Sequence, residues 1–110
     1  MKAAVYYENG GPEVLKYEDM PDPQCHPKGV VIAVEAIAIE GGDTLSRWRG
    51  PLATKPHVGG YQAAGTIVEV GPEVEHLKVG QKVATVMNFG SHASMRAVAA
   101  RNCWVIPDGF

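Results

Sequence analysis

The chain has 110 residues, 45% of them apolar and 20% charged, which is enough to bury one modest core and points to one domain. Its formal net charge of −2, with acidic and basic residues interspersed, provides no electrostatic footprint for nucleic acid or for an anionic membrane surface. No apolar run reaches the roughly 18 to 20 residues that span a bilayer, and MKAAVYYENGG turns polar too early for a signal peptide, so a cytoplasmic setting is expected.

Lys2 to Tyr7 and Val14 to Asp19 read as two short strands separated by Asn9-Gly10-Gly11-Pro12, a turn whose residues tolerate or impose unusual φ. Pro21, Pro23 and Pro27 lack amide donors, so an irregular connection is expected there. Gly29 to Ile39, GVVIAVEAIAI, is the strongest strand signal; nearly apolar on both faces, it is expected to lie in the interior. It stops at Glu40-Gly41-Gly42-Asp43. Asp43 is placed to N-cap a short helix over Thr44 to Arg49, with Leu45 and Trp48 on one face and Gly50-Pro51 ending it.

A loop through Lys55-Pro56-His57 leads to a strand from Gly65 to Val70. Turns follow at Gly71-Pro72 and Val79-Gly80-Gln81, with further strands at Lys82 to Met87, Ala93 to Ala99 and Trp104 to Ile106. Short strands with one small helix and no βαβ alternation define a mainly β fold, a partly open barrel or a sandwich. Cys25 and Cys103 are too few and too far apart in sequence to staple such a fold, so free thiols are expected. His26, His57, His76 and His92 stand in no CxxC, HExxH or close Cys/His cluster, which gives no metal site and makes them surface or packing residues.

GGPEVLKYE, the Asp43 to Gly50 segment, GGYQAAGTIVEVGPEVEHLKVGQKVA over residues 59 to 84, and WVIPDGF occur in the order found in one family. On these blocks the chain resembles the GroES-like catalytic domain of the medium-chain dehydrogenase/reductases, and within them the zinc-independent quinone oxidoreductase branch. The resemblance covers essentially the whole chain. It implies a GroES-like, partly open β-barrel with one or two short helices at residues 1–110, serving as the substrate side of an NADPH-dependent quinone or α,β-enone reductase. In that family a Rossmann domain follows and carries the cofactor's main binding site; no GxGxxG occurs here, since Gly59, Gly60 and Gly65 have the wrong spacing. Pro107-Asp108-Gly109-Phe110 therefore reads as the boundary to a missing domain, and the chain as an expected part of a longer enzyme that, like its relatives, forms a homodimer.

The resemblance also assigns residues. Zinc-dependent relatives place a cysteine ligand where Glu40 stands and a Gly-His-Glu triplet where Gly60-Tyr61-Gln62 stands, so the aligned ligands are absent and no zinc is expected. Quinone-reductase relatives usually carry asparagine at the position of Glu40 and an acidic residue at that of Gln62; zinc-dependent ones carry a relay hydroxyl at that of Gly42. What the alignment implies is a cleft with Tyr61 and Glu40 as candidate catalytic residues and Gly41, Gly42 and Leu45 against the NADPH. Each has a plainer alternative. Tyr61 fills a cleft wall, Glu40 caps the local turn, Gln62 is a structural hydrogen-bonding residue, Leu45 and Trp48 pack or line the cleft wall, and Arg47 is a solvated arginine. At the level of the whole chain the alternative is a free-standing GroES-like module that binds a protein or small molecule without catalysis.

Overall fold

The computed structural model describes residues 1–109. Phe110, at the expected boundary, lies outside them. Among the described residues eight strands form two sheets. A three-stranded sheet has the order β2-β1-β4 and a five-stranded one the order β7-β3-β5-β6-β8, with every pairing antiparallel. The strands are β1 Lys2–Tyr6, β2 Lys16–Asp19, β3 Gly29–Ile37, β4 His57–Val58, β5 Gln62–Val70, β6 Lys82–Val86, β7 Met95–Ala99 and β8 Cys103–Val105. One helix, α1, spans Gly41–Arg49, and 3-10 turns cover Pro12–Val14 and Ala100–Asn102.

The sheets are joined along β1. Ala3 bridges Ala93, Ala4 N–H donates to the His92 carbonyl at 3.0 Å, and Ser94 N–H donates to the Lys2 carbonyl at 2.8 Å. The product is a curled, partly open barrel, the first of the two architectures that the strand pattern left open and the one that the family resemblance implies. No helix among the described residues is long and apolar enough to cross a membrane.

The core lies inside the curl. Val30, Ile32, Ile67, Leu77, Val83, Val98, Ala100 and Cys103 form one buried cluster, closed by Val70 and Val74. Val30 and Ile32 stand at alternate positions of β3, as the two-residue period of a strand requires; β5, β6, β7 and β8 supply Ile67, Val83, Val98 and Cys103, the β5–β6 connection supplies Leu77, and the second 3-10 turn supplies Ala100. Each fully buried Val, Ile or Leu contributes about 1.5–3 kcal/mol through apolar burial. Cys25 and Cys103 are free thiols, as expected. Burial pushes the pKa of both upward.

Three local expectations change. The segment before β2 is a 3-10 turn with Pro12 at its start, so the strand begins at Lys16 instead of Val14; proline's fixed φ suits a helical first turn. His57 and Val58 form a two-residue strand on β1, too short to leave a periodicity in the sequence. The interior placement of Gly29 to Ile39 holds only for its first half. Pairing with β7 ends at Ala33–Met95, and beyond it β3 keeps β5 alone through an irregularity between Val34 and Ala36. Ile37 is accordingly 46% exposed and Ile39 75% exposed.

Gly65 marks the tightest approach in the five-stranded sheet. A Cβ there would overlap the carbonyl oxygen of Ala33 on β3, so β3 and β5 can pair at this register only with glycine. Gly65→Ala is expected to destabilise the domain by about 1–3 kcal/mol, the usual cost of overpacking. The readout is the melting temperature; a melt indistinguishable from wild type would remove the constraint.

Candidate functional site

Helix α1 begins where β3 leaves the sheet. Glu40 occupies the N-cap position with extended backbone, and Asp43 stands at N3. Asp43 is therefore not the N-cap, and the helix starts three residues earlier than its apolar spacing indicates. Two glycines in the first turn hide that start because glycine is a poor helix former. The Asp43 carboxylate reaches back instead and accepts the Glu40 N–H at 2.9 Å, filling the N3 half of a capping box.

The same carboxylate binds the strand that carries Tyr61. Its second oxygen accepts the Tyr61 N–H at 3.1 Å, and the Asp43 side chain is only 6% exposed. This single buried carboxylate locks the start of α1 to the start of β5. The Tyr61 side chain then lies against Gly42: a Cβ on Gly42 would come within 2.9 Å of the phenol oxygen and 3.0 Å of Cε2 and Cζ. Glycine at 42 is what admits the tyrosine, since any side chain there would displace it.

His92 completes the cluster. Its ring sits beneath Gly60, which has φ +102 and whose added Cβ would overlap that ring. His92 Nε2 is 3.1 Å from the Ala38 carbonyl and 3.7 Å from Asp43 Oδ2. No sequence signal marked His92, which lies 31 residues beyond Tyr61. The glycine pair before Tyr61 was the indirect trace of it.

Glu40 supplies the unusual electrostatics. Its Oε2 is buried and has no hydrogen-bond partner. A carboxylate oxygen sealed from water without a donor is costly, and such atoms concentrate where a ligand completes the bonding. The structure therefore brings Glu40, Gly42 and Tyr61 together around Asp43. Gly41 and Leu45 lie one helical turn apart, Gly41 with open space where a Cβ would be and Leu45 50% exposed. Trp48, 62% exposed, continues the same apolar surface, so neither Leu45 nor Trp48 packs in the core.

Two neighbouring readings are corrected. Arg47 is not simply solvated: its Nε donates to the Gly10 carbonyl at 3.3 Å, while Gly10 N–H donates to the Arg47 carbonyl at 3.0 Å. Asn9 Nδ2 donates to the Gly50 carbonyl at 2.8 Å, and the β1–β2 connection thereby covers the helix C-terminus. The Gln62 side chain is exposed; the hydrogen bond it contributes comes from its backbone carbonyl, which accepts Ala38 N–H at 3.4 Å. His57 is a packing residue, buried between Tyr6 and Phe89 with ring centroids 5.2 Å away on each side, and burial lowers its pKa.

The half-open barrel and its strand-to-helix corner, where the Tyr61 phenol and the Glu40 carboxylate meet beside an exposed apolar helix face, define the class of fold. Residues 26–108 match the alcohol dehydrogenase GroES-like domain, and the chain belongs to that family.

Its relatives divide by comparison. Sorbitol dehydrogenase of Rattus norvegicus is 37% identical over 78 residues, covering 67% of this chain and 22% of that protein. An alcohol dehydrogenase of Schizosaccharomyces pombe is 36% identical over 84 residues, 74% of this chain and 24% of that one. Among solved structures, the quinone oxidoreductase of Pseudomonas syringae pv. Tomato DC3000 superposes with a TM-score of 0.92 at 31% identity over 99% of this chain and 34% of its own. Escherichia coli quinone oxidoreductase complexed with NADPH gives 0.91 at 25% identity over 100% and 34%. The chain thus spans between 22% and 34% of the length of these four proteins.

Proposed function

We propose that this chain is the substrate-side domain of an NAD(P)H-dependent quinone or α,β-enone reductase that works without zinc. The observation that carries the reading is the Tyr61 phenol, pressed onto Gly42 and pinned through its amide to Asp43, beside the unpartnered Glu40 oxygen. The likeness to quinone oxidoreductases supports the acceptor class. The sorbitol and alcohol dehydrogenase relatives support oxidoreduction in general.

A catalytic zinc does not fit the donors at this corner. Tyr61 offers a neutral phenol, both Asp43 oxygens are engaged by amides, and His92 Nε2 faces a carbonyl. Among the described residues, no three His, Cys, Asp or Glu side chains converge on a metal-sized space.

The nicotinamide, when bound, supplies the hydride. The surface of this chain fits such a guest: Gly41 leaves its flank open and Leu45 offers an apolar wall, while the pyrophosphate site belongs to a Rossmann domain. Tyr61 donates its hydroxyl proton toward the substrate carbonyl, which gains negative charge during reduction. Glu40 contributes the free acceptor that orients that hydroxyl or a substrate hydroxyl. Gly42 keeps the phenol close to the helix start.

Calorimetry on the 110-residue chain is expected to show no micromolar NADPH binding, and elemental analysis after dialysis no stoichiometric zinc. The enzyme extended through its cofactor domain is expected to reduce a benzoquinone or an enone with NADPH at a rate that chelators leave unchanged. One tightly held zinc per chain, or activity abolished by chelation and restored by zinc, would sink the reading.

A further inference from the structure

Arg96 stands at a core-phase position of β7, between residues whose neighbours at every second position are buried, and is itself 6% exposed. A guanidinium there calls for a carboxylate partner, because a buried unpaired charge is among the most costly features a fold can carry. It has none among the described residues. Nη1 donates to Ser91 Oγ at 2.5 Å, a neutral acceptor that is fully buried, and Nε is buried with no acceptor at all. The adjacent Cys103 thiol does not serve as counter-ion, since burial pushes its pKa upward and keeps it neutral. Burial lowers the Arg96 pKa too, but a guanidinium remains charged at neutral pH.

Arg96 lines a hollow of about 520 Å³. Val58, Met87, Phe89, Met95 and Val98 make its walls apolar, Arg101 adds a second cation, and no aspartate or glutamate lines it. The Met1 ammonium at its rim is already held by Asp22 at 2.7 Å. Gly90, with φ +101, lets the guanidinium lie against bare backbone: a Cβ there would be 3.4 Å from Nη1 and 3.5 Å from Cζ. None of the hollow's lining residues belongs to the Tyr61 cluster, although Ser91 N–H donates to the Gly60 carbonyl at 3.2 Å and the two sites share that loop.

We propose that this hollow binds a small organic carboxylate, its apolar body against the methionine and phenylalanine walls and its carboxylate on Arg96. Such a ligand supplies what the fold lacks there, a counter-charge for the guanidinium. The planar fork of arginine matches a carboxylate through two parallel hydrogen bonds. Apolar walls with one convergent charged group are the usual composition of a small-molecule site. A dianionic phosphate, with no apolar body, would leave most of the walls uncovered.

Octanoate and its uncharged isostere octanamide are the probes, titrated into the 15N-labelled 110-residue chain. Octanoate is expected to bind at least about tenfold more tightly than octanamide, a difference of about 1.4 kcal/mol. The largest amide shifts are expected within residues 87–98. Arg96→Met retains volume and removes the charge; it is expected to abolish the preference for octanoate while leaving the fold intact, with a melting temperature at or above that of the ligand-free wild type. Arg101→Gln is expected to reduce the preference by a smaller factor. Equal affinity for the two probes, absence of saturable binding at millimolar octanoate, amide shifts centred outside residues 87–98, or a preference that survives Arg96→Met would each overturn the proposal. Were Arg96→Met to unfold, the wild-type shift map and the octanamide comparison would still decide it.

Discussion

Tyr61→Phe, introduced into the two-domain reductase proposed above, is expected to lower kcat by roughly ten- to a thousandfold, within the range for a lost general acid or a single lost oxyanion donor. The substitution deletes one oxygen and nothing that positions the ring. The amide bond to Asp43 belongs to the backbone, and the contact with Gly42 is made mostly by ring carbons, so both survive. Under the proposed function NADPH affinity should barely change, because the phosphate-binding loop would belong to a Rossmann domain and not to this one. The loss should fall on the chemical step, and deuterated NADPH identifies the conditions under which hydride transfer limits turnover. Wild-type kcat in Tyr61→Phe under those conditions would reduce the residue to a ring that fills the cleft wall.

Removing the Asp43 carboxylate should cost the fold more than any other change at the site. Asp43→Ala orphans the Glu40 and Tyr61 amides, which the carboxylate holds at 2.9 and 3.1 Å, and deletes the N3 member of the capping box. A buried donor left without an acceptor costs about 1–3 kcal/mol. The two together give an expected destabilisation of about 2–4 kcal/mol, a large share of the ~5–15 kcal/mol that holds a domain of this size. Melting temperature should fall on the order of 10 °C or more. Asp43→Asn keeps one carbonyl acceptor and should recover part of the loss. Equal melting temperatures for wild type and Asp43→Ala would mean that water satisfies both amides and that the carboxylate is not what joins α1 to β5.

The strands were legible because their signals are local. The residue pattern over 65 to 70 and 82 to 87, bounded by Gly71-Pro72 and Gly80, specifies pleated segments whichever partners they later find, although β5 itself begins three residues earlier, at Gln62. The paired glycines at 59 and 60 likewise announced a place where backbone must pass close to something. What that something was, the ring of His92, depended on a segment that reaches the corner only after β6 has crossed the sheet.

Tyr61, Glu40 and Gly42 were drawn together in advance by family resemblance, not by spacing. The contacts between them come from the fold, which replaces the expected Asp43 cap with a buried carboxylate bridging two elements.

The sequence by itself determined a mainly β chain with free thiols, its turns, its strand segments and its family, because turn chemistry and two-residue periodicity act within a few residues of one another. The tertiary structure alone decided that β3 is buried for only half its length, that Arg96 faces inward without a counter-ion, and that Asp43 serves two amides, one three residues before it and one 18 residues after it. Those outcomes follow from where antiparallel pairing stops and which registers bring distant strands level. Register is set by the sum of many weak contacts across the sheet, and no single stretch of chain carries that sum.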